Sequence, residues 1–174
     1  MKQPKILPGS HLLSLDSYGS WLRDPRSLTR KIRNHCHHFS VHLLYQGTGR
    51  LMAFETRLLG MSHPKISQVR EVWLMAEGSA VVYARSILPR HSLAGRYTPI
   101  RTLRQRPLGD TLFSSKSMRR KAVQIFKIHP GHPLYPRNLN LTGPLYARAS
   151  IFKLNHRPIL VTDVFLPGIL RLNP

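Results

Sequence analysis

Apolar side chains at every second position predict the β-strands of this chain. In residues 39–45 they alternate with mostly polar neighbours, which is the period of a strand with one buried face. Residues 69–75 and 80–88 follow the same rule on either side of a short turn. Residues 146–154 and 159–166 form a second pair of this kind. Strands joined by short turns form antiparallel sheets.

Helices are predicted between these strands. Residues 11–22 contain several leucines and favour one or two short helices. Ser27 is a good N-cap for a helix that begins at Leu28, and Asp110 can cap a short helix through Phe113.

The remaining segments are less regular. Residues 46–49 contain two glycines and are predicted as a turn, followed by a return strand over 51–58. Residues 119–128 fit a strand or a helix, and the proline-rich residues 129–144 are predicted as a loop. Together the elements indicate one α+β domain, an antiparallel sheet with helices on one face. We expect a loose leader over residues 1–10 and the domain over 11–174.

The charge balance adds a constraint on partners. Lys and Arg number 27 against seven Asp and Glu, for a net charge of +20. Such a protein attracts anions in general, whether nucleic acid, phospholipid or a small carboxylate. Cys36 is the sole cysteine, so no intramolecular disulfide can form and a reducing compartment is expected. No stretch resembles a signal peptide or approaches the ~18 apolar residues of a membrane span, so we expect a cytoplasmic protein.

Two charged residues are predicted to point into apolar surroundings. Asp163 shares its strand face with Ile159, Val161 and Phe165, and the opposite face of that strand is apolar as well. Arg70 shares its face with Val72 and Leu74 in the same way. A buried carboxylate or guanidinium needs a partner. The two residues therefore predict a pocket for a small anion.

A structural ion pair is the alternative interpretation. Asp163 could pair with a strand arginine, Arg70, Arg85 or Arg148, or a strand end could reach solvent. The chain has only seven acids, so protein carboxylates on the sheet cannot pair with each of these three arginines. Guanidinium is also well suited to bind the carboxylate of a ligand through two hydrogen bonds. Free N–H groups at the helix starts near Leu28 and Leu108 could assist an anionic ligand.

Other candidate sites are weaker. His35, Cys36, His37 and His38 are adjacent in sequence and cannot all face one ion, so solvated surface is favoured over a metal site. The basic residues of segments 101–106 and 119–121 are expected on solvated faces, with a polyanion-binding patch as the alternative. No nucleotide-binding or hydrolase motif is present, and no nucleic-acid-binding motif supports a specific nucleic-acid partner.

Four short blocks follow one another along the chain: Val69-Arg70-Glu71-Val72-Trp73-Leu74, Tyr83-Ala84-Arg85-Ser86-Ile87-Leu88-Pro89, Pro107-Leu108-Gly109-Asp110-Thr111-Leu112-Phe113 and Pro158-Ile159-Leu160-Val161-Thr162-Asp163-Val164-Phe165-Leu166-Pro167. In this order and spacing they resemble the chorismate lyase family of ubiquinone biosynthesis. The resemblance covers about residues 20–167. It implies a monomer with a six-stranded antiparallel sheet that converts chorismate to 4-hydroxybenzoate and pyruvate without a metal or organic cofactor.

The resemblance also implies roles for five residues. Arg70 would bind the ring carboxylate, with backbone groups at Leu28 and Leu108, and Asp163 would meet the ring hydroxyl and accept a proton. Arg85 would line the cavity near the enolpyruvyl carboxylate.

The family usually has Glu where this chain has Asp163, which is one methylene shorter. A closer strand, a bridging water or reduced activity are the possible consequences. A non-catalytic module that binds an aromatic carboxylate such as 4-hydroxybenzoate is the alternative function.

Overall fold

A seven-stranded antiparallel sheet forms the centre of the part of the chain that the structure, a computed structural model, describes: residues 5–6, 17–62, 66–89, 92, 100, 102–114, 118–154 and 157–173. The strands are β1 (Lys5–Ile6), β2 (Phe39–Arg50), β3 (Ile66–Ala76), β4 (Ser79–Leu88), β5 (Met118–Ile128), β6 (Leu145–Leu154) and β7 (Arg157–Phe165). Their order across the sheet is β1-β5-β6-β7-β4-β3-β2. The last strand, β7, therefore lies between β4 and β6.

Four short helices accompany these strands in the same ranges. They are α1 (Gly19–Arg23), α2 (Leu28–Arg33), α3 (Ala53–Leu58) and α4 (Leu108–Ser114), and a 3-10 helix at Pro167–Leu172 follows β7. Ser27 caps α2 as predicted, because its Oγ accepts a 3.3 Å hydrogen bond from the N–H of Arg30. Asp110 lies in the first turn of α4, which begins earlier, at Leu108.

The first face of the sheet is covered by α1, α2, α4 and the 3-10 helix. Trp21 and Leu22 of α1 and Ile32 of α2 are fully buried against side chains of β3 and β4. Leu108 and Leu112 of α4 pack with Phe152 and Ile159 at the other end of this face. This layer of helices leaves a cavity over the central strands.

The second face carries α3 and the predicted loop over residues 129–144. Leu134 and Tyr135 of that loop pack against Phe126 and other apolar residues of the sheet, together with Phe54 and Leu58 of α3. The prediction that the helices lie on one face is therefore wrong for α3. A sheet with two apolar faces needs cover on both sides, and α3 supplies part of the second cover.

Two local predictions around α3 are also wrong. Residues 46–49, expected as a turn, continue β2 to Arg50 in pairing with β3, and residues 51–58 contain α3 instead of a return strand. Glu55 accounts for the helix, since its Oε2 accepts a 2.7 Å hydrogen bond from the N–H of Met52 and closes the first turn.

Both predicted hairpins are confirmed, as β3-β4 and β6-β7. The ambiguous residues 119–128 belong to a strand, β5. The expected count of six strands is one too low, because Lys5 and Ile6 pair with the edge of β5 as β1. The rest of the predicted leader and all of residues 11–16 lie outside the described residues.

Candidate functional site

A cavity lies between the first face of the sheet and the N-terminal ends of α2 and α4. Its charged lining residues are Arg70, Arg120, Arg148 and Asp163, and the rest of its wall is mostly apolar. The strand residues of the wall include Val72, Leu74, Ala84, Ser86, Phe152 and Val161. The cavity is therefore apolar with a few charges, as small-molecule sites usually are.

Arg70 is a cation in this wall without a carboxylate partner among the described residues. It is 2% exposed, and its Nη2 donates to the carbonyl oxygens of Arg104 at 2.8 Å and Arg106 at 2.9 Å. Its Nε is buried and has no hydrogen-bond partner among the described residues. Burial lowers the pKa of Arg70 to about 10, because desolvation disfavours the cation. A bound anion would relieve that cost.

Asp163 has a protein partner in the same wall. Nη2 of Arg148 donates to Oδ2 of Asp163 at 2.9 Å, and the two side chains are 1% and 9% exposed. Nη1 of Arg148 also donates to the carbonyl oxygens of Trp21 at 3.2 Å and Asp24 at 3.0 Å. The ion-pair alternative thus holds for Asp163, while Arg70 remains available for an anionic ligand.

Arg70 and Asp163 lie two strands apart on the same face of the sheet. Arg70 is opposite Ser86 of β4, whereas Asp163 is opposite Ala84. With strands about 4.8 Å apart and about 3.4 Å of rise per residue, their Cα atoms are roughly 12 Å apart. Both side chains line the cavity, and this separation leaves room for one aromatic ring between them.

The starts of α2 and α4 meet at the rim of the cavity. Leu28 and Leu108 are the first residues of these helices, and both are buried in the cavity wall. The close contact depends on Gly109, because a Cβ at that position would lie 2.9 Å from Oγ1 of Thr29. The first N–H groups of a helix have no acceptor within the helix, so both ends can donate to a ligand.

Comparison with known proteins identifies the family of this fold and site. The profile of the family described as chorismate lyase matches residues 11–172. The chain belongs to the chorismate lyase family. A protein of Aromatoleum aromaticum described as "Probable chorismate pyruvate-lyase" is 41% identical over 158 residues, which cover 87% of this chain and 85% of that protein. A protein of Vibrio vulnificus with the same description is 34% identical over 92% of this chain and 84% of its own length.

Solved structures with a similar fold include proteins outside the chorismate lyase family. The effector domain of PhnF from Mycobacterium smegmatis superposes with a TM-score of 0.56 over 75% of this chain and 82% of that domain, at 12% identity. A GntR-family transcriptional regulator from Bacillus cereus gives a TM-score of 0.56 over 75% of this chain and 92% of its own, also at 12% identity. At these identities the likeness concerns the fold alone.

The expectation that Arg85 lines the cavity is corrected by its position. Arg85 points to the second face of the sheet, where Nε donates to Oε1 of Glu55 at 2.8 Å and Nη1 pairs with Glu71. Its neighbours Ala84 and Ser86 face the cavity, so alternation along β4 places Arg85 on the other side. Its buried ion pair with Glu55 ties α3 to the sheet, and Glu55 is completely buried.

Arg120 lines the cavity, which corrects the prediction of a solvated face for this residue. Its guanidinium lies over the rings of Phe113 and Phe152, with Cζ 5.4 Å and 5.1 Å from their centroids. Burial, together with the nearby cation of Arg148, lowers the pKa of Arg120 to about 10. Nearby Lys121, Arg104 and Arg106 are exposed as expected.

A bulge in β5 turns Arg120 to the face of the cavity. Val123 and Ile125 are opposite Ser150 and Arg148 on the first face, so strict alternation would turn Arg120 to the second face. The register shifts between Arg120 and Ala122, which puts Arg120 opposite Phe152 instead. Bulges commonly re-aim a side chain in this way.

The described carboxylates all have partners other than Arg70 and Arg120. Asp24 pairs with Arg26 and Lys31, Asp110 with Arg33, Glu55 and Glu71 with Arg85, and Asp163 with Arg148, while Glu77 accepts from the N–H groups of His37 and His38. The three cavity guanidiniums and one carboxylate therefore leave two positive charges to be balanced.

The described ranges contain no group of three His, Cys, Asp or Glu side chains placed to hold a metal ion. None of their helices has the length and apolar character needed to cross a membrane. The imidazole of His35 donates through Nδ1 to the carbonyl oxygen of Lys31 at 2.7 Å.

Proposed function

We propose that this protein is a chorismate lyase, which converts chorismate to 4-hydroxybenzoate and pyruvate in the first committed step of ubiquinone biosynthesis. Family membership supports the reaction class. The observation that carries the assignment to this cavity is Arg70, a buried guanidinium without a carboxylate partner among the described residues, in an apolar space that also holds Asp163. The reaction is an elimination without net oxidation, so it calls for no redox cofactor, and the proposal includes no metal or organic cofactor.

The proposed roles follow from where the residues lie. Arg70 binds the ring carboxylate through a guanidinium N–H other than those of Nη2, since Nη2 already donates to two carbonyl oxygens. Backbone N–H groups at Leu28 and Leu108 complete the binding of the ring from the rim. Asp163, on the far side of β4 from Arg70, meets the ring hydroxyl and serves as the proton acceptor.

The chemistry is an elimination that makes the ring aromatic. The C–H bond at the carbon that bears the hydroxyl breaks, its electron pair forms a ring double bond, and the neighbouring C–O bond to the enolpyruvyl group breaks. The leaving enolate takes up a proton and becomes pyruvate, so one proton moves from the ring to the leaving group. Aromatisation drives the step, and the protein contributes alignment and charge stabilisation.

A coupled assay tests the proposal. Purified protein is mixed with chorismate, pyruvate is followed with lactate dehydrogenase and NADH, and 4-hydroxybenzoate is quantified by chromatography. We expect both products in equal amounts, with kcat/KM lowered about a hundredfold or more in Arg70→Ala, because a charge-assisted interaction is lost. Arg137→Ala is the matched control, since Arg137 is exposed in the loop on the second face. Pyruvate release no faster than in a protein-free blank refutes the proposal.

A non-catalytic module that binds an aromatic carboxylate is the second candidate. It is favoured by the shorter acid at position 163, one oxygen of which already binds Arg148. The fold also occurs in an effector domain and in a transcriptional regulator, so the fold alone does not require catalysis. This candidate predicts tight binding of 4-hydroxybenzoate by calorimetry together with no pyruvate release.

We further propose a cytoplasmic monomer whose partner is chorismate and not a specific nucleic acid. The net charge of +20 raises the local concentration of a dianionic substrate. Steep salt dependence of binding to one DNA or RNA sequence would contradict this part of the proposal.

A further inference from the structure

We infer that Arg120 binds the carboxylate of the enolpyruvyl group, the second carboxylate of the substrate. This inference rests on the proposed function, and it gives Arg120 the role that the sequence suggested for Arg85. Arg120 lines the cavity, whereas Arg85 faces the other side of the sheet and is paired with Glu55 and Glu71.

Arg120 lies at the end of the cavity that holds Asp163. Nη1 of Arg120 donates to the carbonyl oxygen of Asp24 at 3.3 Å, and Nη1 of Arg148 donates to the same oxygen at 3.0 Å. Arg148 in turn holds Asp163. In chorismate the hydroxyl and the enolpyruvyl ether are on adjacent ring carbons. A ring whose hydroxyl meets Asp163 therefore directs its enolpyruvyl group to this end of the cavity.

The donors of Arg120 are suited to this ligand. Its guanidinium is held over the rings of Phe113 and Phe152, which restricts its orientation without neutralising its charge. No carboxylate of the described residues pairs with it, and its buried Nε has no hydrogen-bond partner there. A fixed, unneutralised guanidinium is well suited to bind a carboxylate through two hydrogen bonds.

The charge of the cavity distinguishes substrate from product. Among the described residues, the cavity has two positive charges beyond the Arg148–Asp163 pair, those of Arg70 and Arg120. Chorismate brings two carboxylates and matches both, whereas 4-hydroxybenzoate brings one and can engage only Arg70. Arg120 is thus a residue that favours the dicarboxylate substrate over the monocarboxylate product.

Binding of two stable ligands tests Arg120 independently of catalysis. The dicarboxylate probe is 3-(carboxymethoxy)-4-hydroxybenzoate, and the monocarboxylate probe is 3-methoxy-4-hydroxybenzoate. Titration calorimetry on the full chain compares the wild type with Arg120→Gln, Arg120→Lys and Lys121→Gln. Lys121 is the matched control because it is an exposed cation on the same strand.

We expect Arg120→Gln to weaken the dicarboxylate probe about tenfold or more and the monocarboxylate probe less than about threefold, as loss of one charge-assisted contact predicts. Arg120→Lys should retain part of the selectivity, and Lys121→Gln should change the ratio of the two affinities less than about twofold, since its charge is solvated. In turnover, Arg120→Gln should raise KM for chorismate and leave inhibition by 4-hydroxybenzoate unchanged.

Equal weakening of both probes, or unchanged binding of the dicarboxylate, overturns the inference. If Arg120→Gln does not fold, as judged by circular dichroism, the ratio of the two probe affinities in Arg120→Lys tests the inference instead. Loss of the bidentate contact should still weaken only the dicarboxylate probe. Failure of the proposed function has a different signature: the wild type would release no pyruvate, whatever the ratio of the two probe affinities.

Discussion

Arg148 and Asp163 lie directly opposite each other on β6 and β7, and their side chains form a buried ion pair with a 2.9 Å hydrogen bond. The pair keeps Asp163 oriented by a neighbouring cation at the point where the proposed mechanism needs a proton acceptor. It also links the sheet to α1 and the segment after it, because Arg148 donates to the carbonyl oxygens of Trp21 and Asp24. Structure and proposed chemistry therefore depend on the same carboxylate.

Removal of Asp163 tests both roles. Asp163→Ala leaves the guanidinium of Arg148 buried and unpaired, which should lower the free energy of unfolding in urea by about 3 kcal/mol or more. Adding Arg148→Met removes the unpaired charge and should recover part of that stability. Pyruvate release should stay lost in both variants, since neither has the acceptor. Recovery of activity in the double variant would show that Asp163 has only a structural role.

Arg85 is expected to matter for stability and not for substrate binding. Arg85→Met leaves the fully buried Glu55 without its cation, which should lower the free energy of unfolding by about 3–5 kcal/mol. Glu55→Gln in that background removes the buried charge and should restore much of the loss. KM for chorismate, measured at a temperature where the variant is folded, should equal that of the wild type. A selective rise in KM for chorismate would show that Arg85 contributes to substrate binding.

Gly109 is expected to be needed for the contact between α2 and α4. Ala in a helix favours stability by up to about 1 kcal/mol relative to Gly, whereas overpacking costs about 1–3 kcal/mol. The new Cβ would lie 2.9 Å from Oγ1 of Thr29, so the clash should prevail. Gly109→Ala should therefore lower both the melting temperature and the affinity for 4-hydroxybenzoate.

Thr29→Ala is the matched second change, because it removes the oxygen that the new methyl group meets. The double variant should regain most of the melting temperature of Thr29→Ala alone. A fully stable Gly109→Ala single variant would mean that the two helix ends can separate without loss.

Asp24 should make stability depend on pH in the acidic range. The hydrogen bond from Arg26, backed by its N–H and by Lys31, holds the pKa of Asp24 well below its ordinary value of 3.8. A carboxylate whose pKa is lower in the folded state stabilises the protein above its unfolded pKa and loses that effect as the pH falls through the folded pKa.

Asp24→Asn should therefore be less stable than the wild type at neutral pH, and the difference should shrink as the pH falls below about 3.8. Urea unfolding at a series of pH values measures this difference. Asp110→Asn is the control, since Asp110 and its partner Arg33 are 45% and 42% exposed and their pair should contribute little. A difference that is independent of pH would exclude the carboxylate as its source.

The sequence predicted those parts of the site that depend on neighbours along one strand. Both hairpins follow from a period of two, and the apolar residues at i±2 place Arg70 and Asp163 on buried faces of β3 and β7. The helix start at Leu28 follows from the N-cap Ser27, the residue directly before it, whose side chain accepts a hydrogen bond within the first turn. Local geometry determines each of these features.

Residues 51–58 show where local pattern was insufficient. Their apolar content fits a strand, but Glu55 closes a helical turn and is buried against Arg85, thirty residues later in the chain. That partner becomes visible only when β4 and α3 are packed together. Tertiary contact thus overrode a weak local preference.

What the sequence determined by itself was a sheet with an arginine and a carboxylate in an apolar setting. Only the tertiary structure decided that Asp163 pairs with Arg148, that Arg85 belongs to the other face, and that Arg120 completes the cavity. The reason is physical: ion-pair partners are set by the order of strands, in which β7 enters between β4 and β6, and the face of Arg120 is set by a bulge against β6. Neither is encoded in the alternation of one strand.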